Sequence, residues 1–220
     1  AKVDPDLEDE TGYTADLGVR GEKANVFIYD ISLFYLGYNN RIGSVNTAEG
    51  RYRTNISASR TIGIEFLSEV NFWQLFKPGS KNNLSVYLNF SKTDAKYIDS
   101  KESGYQNKFV EFVPEWIIRS GITYSRGGFK TGFQYSYTGE QFTDATNARF
   151  PTSNAVVGII PAHSPCDFTI GYTYKRYSLE GSINNLFDVK YFTRRADGYP
   201  GPGIIPSDIR NFYLTAGIKF

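Results

Sequence analysis

Few side chains in this sequence are of a kind that makes or breaks bonds. His163 is the only histidine and Cys166 the only cysteine. His163 stands beside Ser164, an order that invites a hydrolase reading with imidazole activating the hydroxyl. A nucleophile needs its base within hydrogen-bond reach. Adjacent strand residues point to opposite faces, so this pair makes a poor dyad, and no second histidine replaces it. The simpler reading of His163 is a polar residue where a loop re-enters a strand. Cys166 has no basic neighbour in sequence to favour a thiolate, and reads as a small wall residue. One Cys and one His also exclude an intramolecular disulfide and a Cys/His metal cluster. The acids Asp94, Asp99 and Glu102 lack EF-hand spacing, so no metal is assigned. The glycine-rich run from Gly198 to Gly203 is not followed by a Lys-Ser/Thr pair; it reads as a proline-stiffened loop, not a phosphate cradle. These readings point away from an enzyme and call for no cofactor.

The elements that carry these residues show a period of two. Ile218, Ala216, Leu214 and Phe212 alternate with Lys219, Gly217, Thr215 and Tyr213. Phe168, Ile170, Tyr172 and Tyr174 alternate with Thr169, Gly171, Thr173 and Lys175. Leu84, Val86, Leu88 and Phe90 do the same against Ser85, Tyr87, Asn89 and Ser91. The pattern predicts nine strands near 12–20, 25–38, 54–73, 84–97, 116–126, 129–141, 165–175, 177–187 and 209–220, and no helix. Connections alternate in length. Short turns fall at 21–24, 77–83, 127–128 and around Arg176; long polar links fall at 39–53, 98–115, 142–164 and 188–208. Short turns on one side of a membrane and long loops on the other are typical of outer-membrane barrels.

Composition separates the possible folds. Aromatic residues reach 16%, with 17 Tyr and 17 Phe among 220 residues. Amphipathic rings sit well at lipid–water boundaries. The non-apolar rows are mostly Gly, Ser, Thr, Asn and Gln, where a soluble sandwich would show a wet face of Lys and Glu. Mean hydropathy is −0.38, and no apolar run approaches the ~18 residues a spanning helix needs. If the chain meets a membrane, it therefore does so as strands. A net charge of +1 argues against nucleic acid as a partner. Asp16, Arg20, Asp30, Glu65, Glu69, Arg119, Lys130, Lys175, Glu180 and Lys219 share the expected lumen parity. They either hydrate a polar interior or pair with a plug. Nine is odd for a bacterial barrel, and open edges are not tolerated in lipid, so the chain is expected to be part of a larger barrel. Residues 1–11 are acidic and expected to belong to an incoming loop.

The stretch Asn185-Leu186-Phe187-Asp188-Val189-Lys190-Tyr191 resembles the closing element of TonB-dependent receptors. A Gly/Pro loop with Gly198-Tyr199-Pro200-Gly201, then Arg210 and a strand ending on Phe220, follows in that family's order. Upstream, Tyr13 to Gly21 and Ile31 to Ile42 look like further strands of the same family, although Asp16 stands one residue from where Glu is usual. The resemblance implies an all-β, antiparallel transmembrane β-barrel of 22 strands. Residues 1–220 would be its C-terminal portion, the last nine strands, with the N-terminal plug and the earlier strands absent. It further implies a receptor in the outer membrane of a Gram-negative bacterium that imports a ferric siderophore or similar iron chelate. Partners would be the TonB complex, reached through the missing N-terminal region, and outer-membrane lipid and lipopolysaccharide. The run Tyr191 to Arg195 looks most like receptors of the ferric-citrate type. Arg194 and Arg195 would then offer bidentate donors to an anionic chelate; the alternative is a pair of rim arginines meeting lipopolysaccharide phosphates or neighbouring acids. A passive porin or structural barrel remains the other reading, and a soluble β-rich binding protein a third.

Overall fold

The computed structural model describes residues 2–47, 50–99, 104–198 and 201–220. Glu102, Tyr199 and Pro200 lie outside the described residues. Among the described residues, ten strands share one sheet. Nine of them follow each other in antiparallel file: β2 (Thr11–Lys23), β3 (Phe27–Thr47), β4 (Gly50–Asn71), β5 (Asn82–Asp99), β6 (Trp116–Arg126), β7 (Phe129–Thr138), β8 (Cys166–Tyr174), β9 (Tyr177–Asn184) and β12 (Asn211–Ile218). The tenth, β1 (Lys2–Val3), pairs in parallel with β4. A separate hairpin of β10 (Phe192–Ala196) and β11 (Gly203–Pro206) stands in the last long connection. The architecture is the antiparallel barrel wall that the alternation predicts, with β2 and β12 as its unjoined edges.

Register places the alternating rows as expected. Leu17 pairs Leu33, Leu33 pairs Ile64, and Phe66 pairs Phe90. Phe90 pairs Ile118, Phe133 pairs Phe168, and Leu179 pairs Ala216. These rows form one continuous apolar face, and they are not packed as a dry core: on strands flanked on both sides, Leu33 is 52% exposed and Ile170 45%. The other face carries Arg20 opposite Asp30, Glu65 opposite Ser91, and Gln134 opposite Asp167. On that face Tyr87 donates to Gln134 Oε1 at 2.9 Å. Its ring lies over Gly121, where an added Cβ would stand 2.5 Å from Cε1. Only glycine admits a ring so close to the backbone.

Three local predictions need correction. The link expected at 39–53 is mostly strand, because β3 runs on to Thr47 and β4 starts at Gly50. The register shifts between Tyr38 and Ile42, and Asn40 adopts φ 51°. Such a bulge adds a residue and re-aims the strand while pairing resumes beyond it. The β4–β5 turn, expected as strand to residue 73, holds a one-turn helix, α1 (Phe72–Phe76). The last long connection, expected as plain loop, contains the β10–β11 hairpin.

Candidate functional site

The long connections gather at one end of the wall and pack on each other. The β3–β4 extension is their platform. Val45, Ile56, Ala95, Tyr97, Val110 and Ala145 form a buried cluster there, with Tyr97 at 0% exposure. Such burial is what a stretch of loop needs to hold one shape against its conformational entropy. Polar ties register the pieces. Tyr97 Oη donates to Glu111 Oε2 at 2.7 Å, and Glu111 Oε1 accepts from the Ser44 amide at 2.9 Å. Burial, then the Glu111 charge, push the Tyr97 hydroxyl well above the ordinary phenol range. Asn147 clasps the β5–β6 connection with both side-chain atoms, accepting from the Phe109 amide and donating to its carbonyl. Gly43 faces this knot, and a Cβ there would meet Tyr97 Oη at 2.7 Å.

The β7–β8 connection folds back along itself through the bridges Thr138–His163 and Gln141–Ile160. Val156, Val157 and Ile160 are buried within it. His163 contacts the Pro161 carbonyl at 3.2 Å and stacks on Tyr191, with ring centroids 4.6 Å apart. It does sit where the loop re-enters the wall. Cys166 is buried as the first residue of β8, and its carbonyl accepts the Leu186 amide.

The structure divides the arginine pair. Arg195 is buried. Its Nε and Nη2 donate to the Ile159 carbonyl at 3.0 and 2.8 Å, and Nη1 to the Ala155 carbonyl at 2.7 Å. The guanidinium also stands 5.0 Å from the Phe192 ring centroid. Burial lowers its pKa from the usual arginine value, and arginine stays charged regardless. Arg195 therefore pins the β10–β11 hairpin to the β7–β8 loop. Arg194 is its neighbour on a strand and so takes the opposite face, where it is exposed.

The element read as a family signature is a structural knot. Asn185, buried with φ 52°, donates its side-chain amide to the Val189 and Asp208 carbonyls and accepts from the Val189 amide. Its own amide reaches Asp167 Oδ1 at 2.8 Å. Asp188 accepts the Arg210 amide at 3.1 Å and Lys190 Nζ at 2.8 Å. These bonds, the Lys190 one first, hold its carboxyl below the usual carboxylate range. The knot thus ties the end of β9 to the start of β12. Leu186 bonds β8 through its amide, Phe187 is exposed, Tyr191 carries the His163 stack, and Phe220 is fully exposed.

Beside the platform lies a cavity of about 670 Å³, lined by Asp4, Asp6, Glu8 and Asp99 among Asn and Thr side chains and, among the described residues, by no Lys or Arg. Its charge is wrong for an anion. The Thr54 hydroxyl, 2.5 Å from Asp4 Oδ2, leads the contacts that keep the Asp4 carboxyl low.

A β-sheet wall with two chemically distinct faces, short turns at one end and interlocked loops at the other is the build of a transmembrane barrel receptor. Residues 2–186 match the family described as "TonB dependent receptor-like, beta-barrel", and the chain belongs to that family. Among solved structures, the ferric citrate transporter FecA in its unliganded form is similar over 95% of this chain and 31% of its own, with TM-score 0.80 and 23% identity. The ferric yersiniabactin uptake receptor FyuA from Yersinia pestis follows over 96% of this chain and 30% of its own, with TM-score 0.73 and 19% identity. The copper transporter OprC matches over 98% and 32%, with TM-score 0.72 and 15% identity. The chain thus spans about a third of the length of these relatives. No curated protein sequence matches it. The family and these neighbours are receptors and transporters, not enzymes.

Proposed function

We propose that this chain is the closing portion of a receptor in the outer membrane of a Gram-negative bacterium that imports a ferric siderophore or similar iron chelate, ferric citrate being the first candidate. Transport is gated by a plug and energised by the TonB complex, both engaged through sequence N-terminal to this chain. The loop end faces outward and the short turns face the periplasm. Family membership supports the class of protein, and the observation that carries the ligand reading is the exposed Arg194 on a hairpin braced by the buried Arg195. Ferric dicitrate is anionic, and a guanidinium fork suits its carboxylates. Arg194 contacts the chelate and Arg195 is a positioning residue. Lipopolysaccharide is the outer-leaflet neighbour. Arg60, Lys92 and Lys96 share the apolar parity beyond the Phe90–Trp116 ring pair, within ion-pair distance of Asp94 or Glu115. Lys92 Nζ stands 5.1 Å from the Trp116 ring centroid.

The test uses the full-length receptor in cells and in detergent. Iron uptake from ferric citrate should require both the chelate and TonB, and Arg194→Ala should weaken chelate binding about 10-fold, the loss of one charge-assisted contact. Uptake that persists without TonB would favour a passive barrel. Unchanged affinity in Arg194→Ala would remove the arginine from the site.

A further inference from the structure

The β4–β5 turn is far more apolar than a short turn requires. At 3.6 residues per turn, Leu75, Phe72, Phe76 and Trp73 fall within one arc of about 160°, leaving Gln74 alone on the other side. The polar side is consumed by the turn itself. Gln74 donates to the Ser80 carbonyl at 2.8 Å and accepts the Gly79 amide at 3.0 Å, while Asn71 caps the Gln74 amide. The apolar side has no such cover: Phe72 is 39%, Leu75 46% and Phe76 75% exposed.

The direction of that apolar side is fixed by Trp73. Its ring lies 5.9 Å from Tyr124, which pairs across the sheet with Leu84 on the lipid-facing row. Phe72, Trp73, Phe76, Lys77 and Leu84 line a cavity of about 350 Å³. Helix and row thus make one continuous apolar surface, with a cation at its rim. The row's height gives a reason for the extension. From Leu84 to Lys92 is about 26 Å along the strand, which at a barrel tilt near 40° is roughly 20 Å, short of the ~25 Å apolar band of such barrels.

We propose that α1 is a membrane foot: it enters the periplasmic leaflet and seats a phospholipid, an acyl chain in the aromatic groove and the phosphate on Lys77. The assignment rests on the outer-membrane orientation proposed above. Continuity with the lipid-facing row and the rim lysine favour a phospholipid over a periplasmic protein, since the Gln74 amide, which could give a protein partner specificity, is spent within the turn.

The full-length receptor, cleared of other reactive thiols by Cys166→Ser and equivalent changes, tests this in phospholipid vesicles. An environment-sensitive fluorophore is attached at Phe76→Cys, at Leu214→Cys on the lipid-facing wall, and at Phe150→Cys on an exposed loop. Spin-labelled phospholipids should quench the first two, and aqueous iodide only the third. Lipid quenching at Leu214→Cys with iodide quenching at Phe76→Cys would overturn the foot alone. Iodide quenching at both would overturn the membrane reading itself. In a second measurement, phospholipid phosphorus retained through detergent purification should fall in Phe72→Ser/Phe76→Ser and in Lys77→Gln. Retention equal to the parent in both would overturn the phospholipid site.

Discussion

On wall strands flanked by neighbours on both sides, Leu33, Ile122 and Ile170 stand 52, 44 and 45% exposed; among the loops, Tyr97, Ala145 and Ile160 are at 0%. Both regions are rich in apolar residues, yet only the loops bury them against protein. The difference teaches where each region finds its apolar solvent. A barrel strand turns every second side chain to hydrocarbon and needs no second layer. Loops beyond the membrane meet water, so they must build a core of their own and satisfy their backbone groups internally. That is why the loop end carries the polar knots of Glu111, Asn147 and Arg195, whereas the wall relies on ladder bonds and cross-strand pairs.

The sharpest way to break this contrast is to cut volume from the loops. Ile160→Ala should cost the loop assembly about 2–5 kcal/mol, the range for a buried aliphatic truncation. Limited proteolysis should then cut within residues 139–165 while the barrel stays heat-modifiable on gels. A loss of barrel folding instead would mean that wall and loops form one cooperative unit.

The wall should show the reverse sensitivity. Leu214→Arg places a charge on the lipid-facing row of β12 and should cost about 2–4 kcal/mol near mid-depth. The neighbouring Tyr213→Arg, on the polar parity, should cost much less. Denaturant unfolding in lipid vesicles reads the difference, and equal effects would contradict the assignment of faces.

Next in size is Arg195→Ala. Removing the guanidinium leaves the Ile159 and Ala155 carbonyls without it, a loss of about 1–3 kcal/mol for buried groups. Loop protease resistance should fall, while Arg194→Ala leaves it unchanged and lowers chelate affinity only. If both variants behave alike, the division of the pair into brace and contact is wrong.

How much of this was legible beforehand follows from the same contrast. The wall strands were readable because a two-residue period reports lipid on one side and water on the other, as in Phe212 to Ile218. The β3–β4 extension was hidden because the shift at Tyr38–Ile42 breaks that period in a run of polar residues that resembles loop. Five residues of α1 are too few to show a helical period, although an apolar Phe-Trp-Gln-Leu-Phe in a short turn marks the segment as unusual. Arg194 and Arg195 are chemically identical. What separates them is the β7–β8 loop, which meets one side of the hairpin and which local sequence does not place. The Asn185–Asp188 element is legible by its family likeness, but its partners Asp208 and Arg210 lie some twenty residues on, beyond the reach of local sequence.

The smallest effect expected is also the most specific to the loop knot. Tyr97→Phe removes the bond to Glu111 and should cost the loops about 1 kcal/mol. Its pH signature is clearer than its size. In the unfolded chain a tyrosine ionises near pH 10, whereas burial and the Glu111 charge hold the folded Tyr97 proton to higher pH. The contribution is therefore complete below about pH 10 and declines as pH rises, because the unfolded chain releases a proton that the folded one keeps. Loop protease resistance followed from pH 8 to pH 11 should fall in the parent and fall less in Tyr97→Phe. Asp188 supplies an opposite control in the same receptor. Its carboxyl is held low by Lys190 and the Arg210 amide, so its contribution is present above the usual carboxylate pKa and is lost on acidification. A loop assembly that weakens at high pH through one residue and at low pH through another, while the wall is indifferent to both, is what a separately cored cap on a lipid-solvated barrel requires.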